Sequence, residues 1–156
     1  MELLLHLTLY NLVASIFLYA SLAYNPRMWL HRMPPEVVAK VEGKTPEEKR
    51  IFIYFALPFL LWLFGYPLIY VLGQESAVLA NFLVFCAFFA GFALWDTLIL
   101  DLLIFCKLTP RFIIIPGTVR DDYSNMKYHL VSGAKGVLMS VVFSGVLAAI
   151  MMLVSR

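Results

Sequence analysis

The residues of this sequence best suited to chemistry are two acids set where acids are expensive. Asp96 and Asp101, introduced by Trp95, lie toward the end of residues 77–106, a stretch otherwise almost wholly apolar. An ionisable side chain inside a run long enough to span a bilayer needs a partner or a function. The bases available are Arg27, Arg32, Lys107, Arg111, Arg120 and Lys135, with His129 beside them. Together these residues can form structural ion pairs, or a polar cluster that handles a lipid-like or anionic molecule. In a helix of 3.6 residues per turn, positions five apart stand about 140° apart. That predicts no carboxylate dyad: each acid meets its own partner, Asp96 deeper and toward the bundle interior, Asp101 near the headgroup level.

Other chemistries find no foothold in the motifs. The sequence has no phosphate-binding glycine loop, no nucleophile elbow and no HExxH pattern. The segment from Asp96 to Asp101 lacks the flanking pattern of aspartate-rich lipid transferases. Cys86 and Cys106 are twenty residues apart on one proposed helix, a separation of roughly 30 Å, which excludes a disulfide between them. Without histidines at metal spacing they signal no zinc site, so no metal is expected, and no cofactor is named by any motif.

The elements that must position the acids are membrane spans. The chain has 156 residues, 62% hydrophobic and only 14% charged, with a mean hydropathy of +0.85. A water-soluble chain of this size cannot hide that much apolar surface, and the runs are apolar all round rather than amphipathic. The expected fold is all-α, one polytopic domain over residues 1–156, a four-helix transmembrane bundle with spans near 3–24, 46–72, 78–106 and 131–154. The first reads as an uncleaved helix, since no basic stretch precedes the signal-peptidase-like Ser21-Leu22-Ala23. Its Thr8, Asn11 and Ser15 share one face, predicted to look inward with Asn11 making an interhelical hydrogen bond.

Asn25-Pro26 ends that span, and a short surface helix is expected over 35–42, closed by Gly43. Thr45-Pro46-Glu47-Glu48 has the form of a capping box, so the second span starts in water. Pro58 and Pro67 remove backbone donors inside it, leaving the carbonyls of Tyr54 and Leu63 without their usual partners and predicting kinks. The connection 73–76 is tight and makes the second and third spans antiparallel neighbours. Residues 111–118, an apolar run between prolines, read as an extended or re-entrant piece on the membrane surface, closed by a turn at Pro116-Gly117. In the fourth span Gly136, Ser140, Ser144 and Ala148 recur every four residues, a ridge that lets helix backbones approach closely; Ala87 and Gly91 offer a groove on the third.

The loop after the first span holds six Lys/Arg, and the loop after the third holds Lys107, Arg111, Arg120 and Lys127. With Lys135, eleven of the basic residues lie on one side and only Arg156 on the other. By the positive-inside rule both long loops are cytoplasmic and both termini lie outside.

The combination of Asn25-Pro26-Arg27, Trp95-Asp96 with Asp101, Ile115-Pro116-Gly117-Thr118 and a later Tyr and His resembles small, uncharacterised four-helix integral membrane proteins of bacteria. The resemblance implies a single unit formed by these cytoplasmic-side residues and implies no function; the expected location is the bacterial inner membrane. Two classes follow. The first is a non-catalytic module that binds a lipid headgroup or a membrane-protein partner, a second copy included. The second is a small intramembrane enzyme or carrier for a lipid-like or anionic substrate. Membrane lipids are the expected surroundings in both, and the net charge of +2 gives no reason to expect nucleic acid.

Overall fold

The computed structural model describes residues 1–74 and 77–154, all helix and connecting loop. Glu75 and Ser76 of the tight connection, and Arg156, lie outside the described residues. Among the described residues four stretches are long and apolar enough to cross a membrane: Glu2–Tyr24, Pro46–Leu72, Val78–Leu108 and Arg120–Leu153. The elements are α1 (Glu2–Tyr24), a 3-10 helix (Pro26–Arg32), α2 (Pro35–Val38), α3 (Pro46–Leu72), α4 (Val78–Trp95), a π-helix (Asp96–Leu108), two short 3-10 turns (Arg111–Ile113 and Arg120–Tyr123) and α5 (Met126–Val154).

Local chemistry accounts for most boundaries. Thr45 Oγ1 accepts from the Glu48 amide at 3.1 Å while Glu48 Oε2 accepts from the Thr45 amide at 2.8 Å, the reciprocal cap expected from the sequence. Helix α3 then continues through both prolines. The Leu63 carbonyl, deprived of its donor by Pro67, accepts instead from the fully buried Tyr10 hydroxyl at 2.9 Å. Trp62 Nε1 donates back to the Tyr10 carbonyl at 3.2 Å. Helix α5 begins five residues earlier than expected, because Asn125 Oδ1 accepts from the Tyr128 amide at 3.0 Å and supplies an N-cap upstream of the apolar run.

The first span's polar face is corrected in two places. Thr8 is exposed and bonds back to the Leu4 carbonyl, and Asn11 donates within its own helix, to the Leu7 carbonyl. The interhelical bond belongs to Ser15, whose Oγ accepts from Trp95 Nε1 at 3.0 Å.

Helix α5 packs most extensively on α4. Ser140, Ser144 and Ala148 are buried there, and a Cβ added at Gly136 would rest 3.5 Å from the Ala93 Cβ. The groove on the partner differs from the one expected. Gly91 faces open space, whereas a Cβ at Gly133 would collide with the Thr97 side chain. The opposing row is therefore Phe85, Phe89, Ala93 and Thr97, spaced four apart like the ridge that meets it.

The loops pack into a core of their own. Ile113, Ile115, Val37 and Tyr123 are fully buried together with Leu30 and Met33, against Leu22 and Phe105 from the helices. Residues 111–118 are thus not spread on a surface: alternate isoleucines of the run are interior, and the turn at Pro116-Gly117, with Gly117 at φ 91°, folds it back. Tyr123 Oη accepts from the Ile115 amide at 2.9 Å and sits 3.0 Å from Thr118 Oγ1. The expected surface helix over 35–42 is shorter, a single turn ending at Val38. Polar ties join the two loops: Lys40 Nζ to Asp122 at 2.6 Å and Asn125 Nδ2 to Glu36 at 2.7 Å.

Candidate functional site

Where the third span approaches the loops, its helix widens. From Asp96 to Leu108 the backbone is a π-helix, a form that is rare beyond a single turn and frequent at functional sites. A threonine marks each end. Thr97 Oγ1 donates to the Ala93 carbonyl and Thr109 Oγ1 to the Phe105 carbonyl, both at 2.7 Å. Each hydroxyl satisfies an acceptor that the regular α ladder would have used. Thr109 leaves the helix in the left-handed region, φ 41°, with its amide on the Ile104 carbonyl at 2.7 Å, five residues back.

Widening changes which side chains share a face. In a ladder of i→i+5 bonds, residues five apart stack one turn above another. Asp96 and Asp101 consequently line the same cavity, with Leu100 and Phe105 on the same helix. The expectation that the two acids cannot share one face is not met, because it assumed 3.6 residues per turn through a segment that is not α-helical; Asp101 nonetheless has its own partner in His129.

The cavity has a volume of about 230 Å³. Leu18, Leu22, Phe59 and Phe92 give it an apolar wall, and Asp96, Asp101, His129, Tyr19, Tyr128 and Ser132 supply polar groups. His129 is 3% exposed. Its Nδ1 lies 3.1 Å from Asp101 Oδ2, and its Nε2 is buried without a hydrogen-bond partner. The Tyr19 hydroxyl is likewise buried and unpartnered. No hydrogen bond or ion pair joins the Asp96 carboxylate to another described residue, although Asp101, Arg32 and His129 lie within Coulombic reach of it. Arg32, the last residue of the first 3-10 helix, is exposed at the rim of the same cavity.

Of the nine polar residues that the sequence nominates, the fold brings four together: Asp96, Asp101, Arg32 and His129. The other five stand elsewhere. Arg27 pairs with Glu48 at 2.6 Å and donates to the Glu42 and Gly43 carbonyls. Arg120 donates to the Lys107 carbonyl at 2.6 Å, while Arg111 and Lys135 are exposed away from the cavity. Lys107 is itself exposed and does not line it.

Sequence reasoning missed Tyr19, Tyr128 and Ser132 as site residues. Signals for them exist. Asn11, Ser15 and Tyr19 recur every four residues on one face of α1, and Tyr128 and Ser132 have the same spacing once α5 is started at its Asn125 cap.

Among the described residues no three His, Cys, Asp or Glu side chains are arranged to hold a metal ion. What the arrangement offers is hydrogen bonding and charge inside an apolar pocket, where both are stronger than in water. Comparison of the chain with protein-family models, with curated proteins and with solved structures finds no match, so the cavity's chemistry is the guide to what it does.

Proposed function

We propose that this is an integral membrane module that binds a lipid-like molecule through its polar head, in the cavity between the spans and the two long loops. One observation carries the reading: an apolar-walled cavity of about 230 Å³ is lined by His129 and Tyr19, whose Nε2 and Oη are buried without partners in the protein. Buried polar atoms are nearly always satisfied, and an unsatisfied one costs on the order of 1–3 kcal/mol. A ligand whose head supplies the missing bonds, and whose tail lies along Leu18, Leu22, Phe59 and Phe92, accounts for both halves of the lining.

The bias of Lys and Arg toward the loops supports a cytoplasmic position for them and an outside position for the termini. The resemblance to bacterial four-helix proteins supports the inner membrane. The bound head then sits at the cytoplasmic leaflet.

A second reading, a small intramembrane enzyme or carrier, is favoured by the Asp101–His129 pair. A carboxylate on Nδ1 orients an imidazole and selects its tautomer, leaving Nε2 to exchange a proton with a bound molecule.

The test is native mass spectrometry of the protein released from its membrane in mild detergent, beside a Ser132→Trp variant that fills the cavity. One amphiphile per chain in the parent, lost in Ser132→Trp with the thermal midpoint held within a few degrees, is the expected result. An empty parent protein, or equal occupancy in both, refutes the cavity as a binding site.

A further inference from the structure

We infer that the head taken by this cavity carries a primary ammonium group; the inference rests on the reading of the cavity as an amphiphile site and names the class of amphiphile. Acceptors are prominent among the polar groups of the cavity lining. Asp96 presents a carboxylate with no hydrogen bond or ion pair to another described residue. Asp101 lies 3.1 Å from His129 Nδ1. With the neutral imidazole donating there, Nε2 keeps its lone pair and becomes an acceptor. Nε2 has no partner, and His129 is only 3% exposed. The Tyr19 hydroxyl, also unpartnered, accepts as readily as it donates.

An ammonium group has three donors and no acceptor, the complement of that set. Its charge also suits the lining. Asp96 and Asp101 are the acids of the lining and Arg32 is its one Lys or Arg side chain, so a cationic head finds acidic partners in a site where uncompensated charge is expensive. A carboxylate or phosphate seated at the same depth would face two acids.

Arg32 adds a second point of recognition. It is exposed at the rim, within reach of Asp96 and not paired with it. An anionic group adjoining the ammonium would meet the guanidinium there. The same head chemistry can arrive in two ways, as the ethanolamine headgroup of a phospholipid or as a free long-chain amine.

The experiment compares headgroups on the unmodified protein. Protein in nanodiscs of one acyl composition is offered phosphatidylethanolamine, phosphatidylcholine and phosphatidylglycerol, and retained lipid is read by native mass spectrometry, with dodecylamine and dodecanol in parallel. Choline keeps the positive charge and removes every N–H donor, which isolates the hydrogen bonds. We expect ethanolamine lipid or dodecylamine to be retained about tenfold over its choline or alcohol counterpart, the ratio one charge-assisted hydrogen bond supplies. Retention of the ethanolamine lipid identifies the headgroup as the source, and retention of dodecylamine alone identifies a free amine. Asp96→Asn should erase the preference; if that variant does not fold, the headgroup series on the parent chain decides. Equal retention of choline lipid, or preference for phosphatidylglycerol, overturns the ammonium assignment. If that retention still vanishes in Ser132→Trp, the cavity reading stands without it. No retained amphiphile of any kind removes both.

Discussion

The two ends of the helix bundle solve the same packing problem in opposite ways. At the end away from the long loops, aromatic rings fill the space. Phe88 is fully buried and meets Tyr10, Tyr66 and Tyr70 edge-on or nearly so at 5.1, 5.9 and 5.4 Å. Most polar atoms there have a use: the Tyr10 hydroxyl serves Leu63, Trp62 serves Tyr10, and His6 Nδ1 meets the Tyr66 hydroxyl at 2.7 Å. Asn11 Oδ1 is the exception among them. At the loop end the helix is widened, a cavity remains, and acids and a histidine line it with open valences. Within a bilayer no hydrophobic force draws helices together, so close packing and satisfied polar groups carry stability. The dry end has what stability requires, and the loop end gives some of it up.

That contrast is open to measurement by thermal unfolding in one detergent. The largest effect should come from truncating each end's interior. Phe88→Ala removes a ring with contacts on all sides and should cost about 3 kcal/mol, the lower part of the range for such losses. Leu100→Ala only enlarges a space that exists already and should cost clearly less, about 2 kcal/mol. Equal losses would mean that the cavity is closed by rearrangement and that the two ends do not differ.

Hydroxyl deletions sharpen the comparison on a smaller scale. Tyr10→Phe strands the Leu63 carbonyl, which Pro67 has already deprived of its backbone donor, and should cost about 1–2 kcal/mol. Tyr19→Phe removes a hydroxyl that bonds to nothing in the protein, and should leave the midpoint unchanged or raise it. A loss at Tyr19 as large as that at Tyr10 would show that its hydroxyl is satisfied in the free protein, and would weaken the case for the site.

The smallest effect concerns the loops that cover the loop end. His31 Nδ1 lies 3.0 Å from Lys44 Nζ, which also donates to the Met28 carbonyl and lies over the Phe52 ring. Partial burial, then the charges of Lys44 and Arg32, hold the His31 pKa below its ordinary 6.5. The folded state therefore binds fewer protons than the unfolded one near that pH, and stability is present above 6.5 and declines as pH falls through it toward the lowered value. Because His31 is largely exposed, the drop in midpoint should be about 1 °C in the parent and absent in His31→Gln. A midpoint that rises on acidification would reverse the assigned direction.

What was readable in advance is local chemistry between partners close in sequence. The Thr45–Glu48 cap spans three residues, and the small-residue ridge on α5 repeats every four; both need only helical geometry to be seen. The partner of Leu63 was not readable, because Tyr10 lies fifty-three residues away. The two acids were misplaced by the assumed helical twist. With an α-helical twist through residue 101 the two acids diverge; with the π-helical twist they converge, and Thr97 and Thr109, which terminate that segment, look in the sequence like ordinary membrane threonines.

By itself the sequence determined the class of this protein. Apolar length, the placement of prolines and caps, and the cost of burying acids are properties of short stretches, and they suffice to make four spans and to single out Asp96 and Asp101. Tertiary structure alone decided which of the candidate bases share a cavity with those acids. Arg27 was as good a candidate as Arg32 by charge and position, but Glu48 claims it at 2.6 Å. His129 reaches Asp101 only because α5 starts early, at the Asn125 cap, and brings it to the cavity. Charge and spacing set which residues need partners, and the choice among partners depends on distances that exist only once the helices have packed.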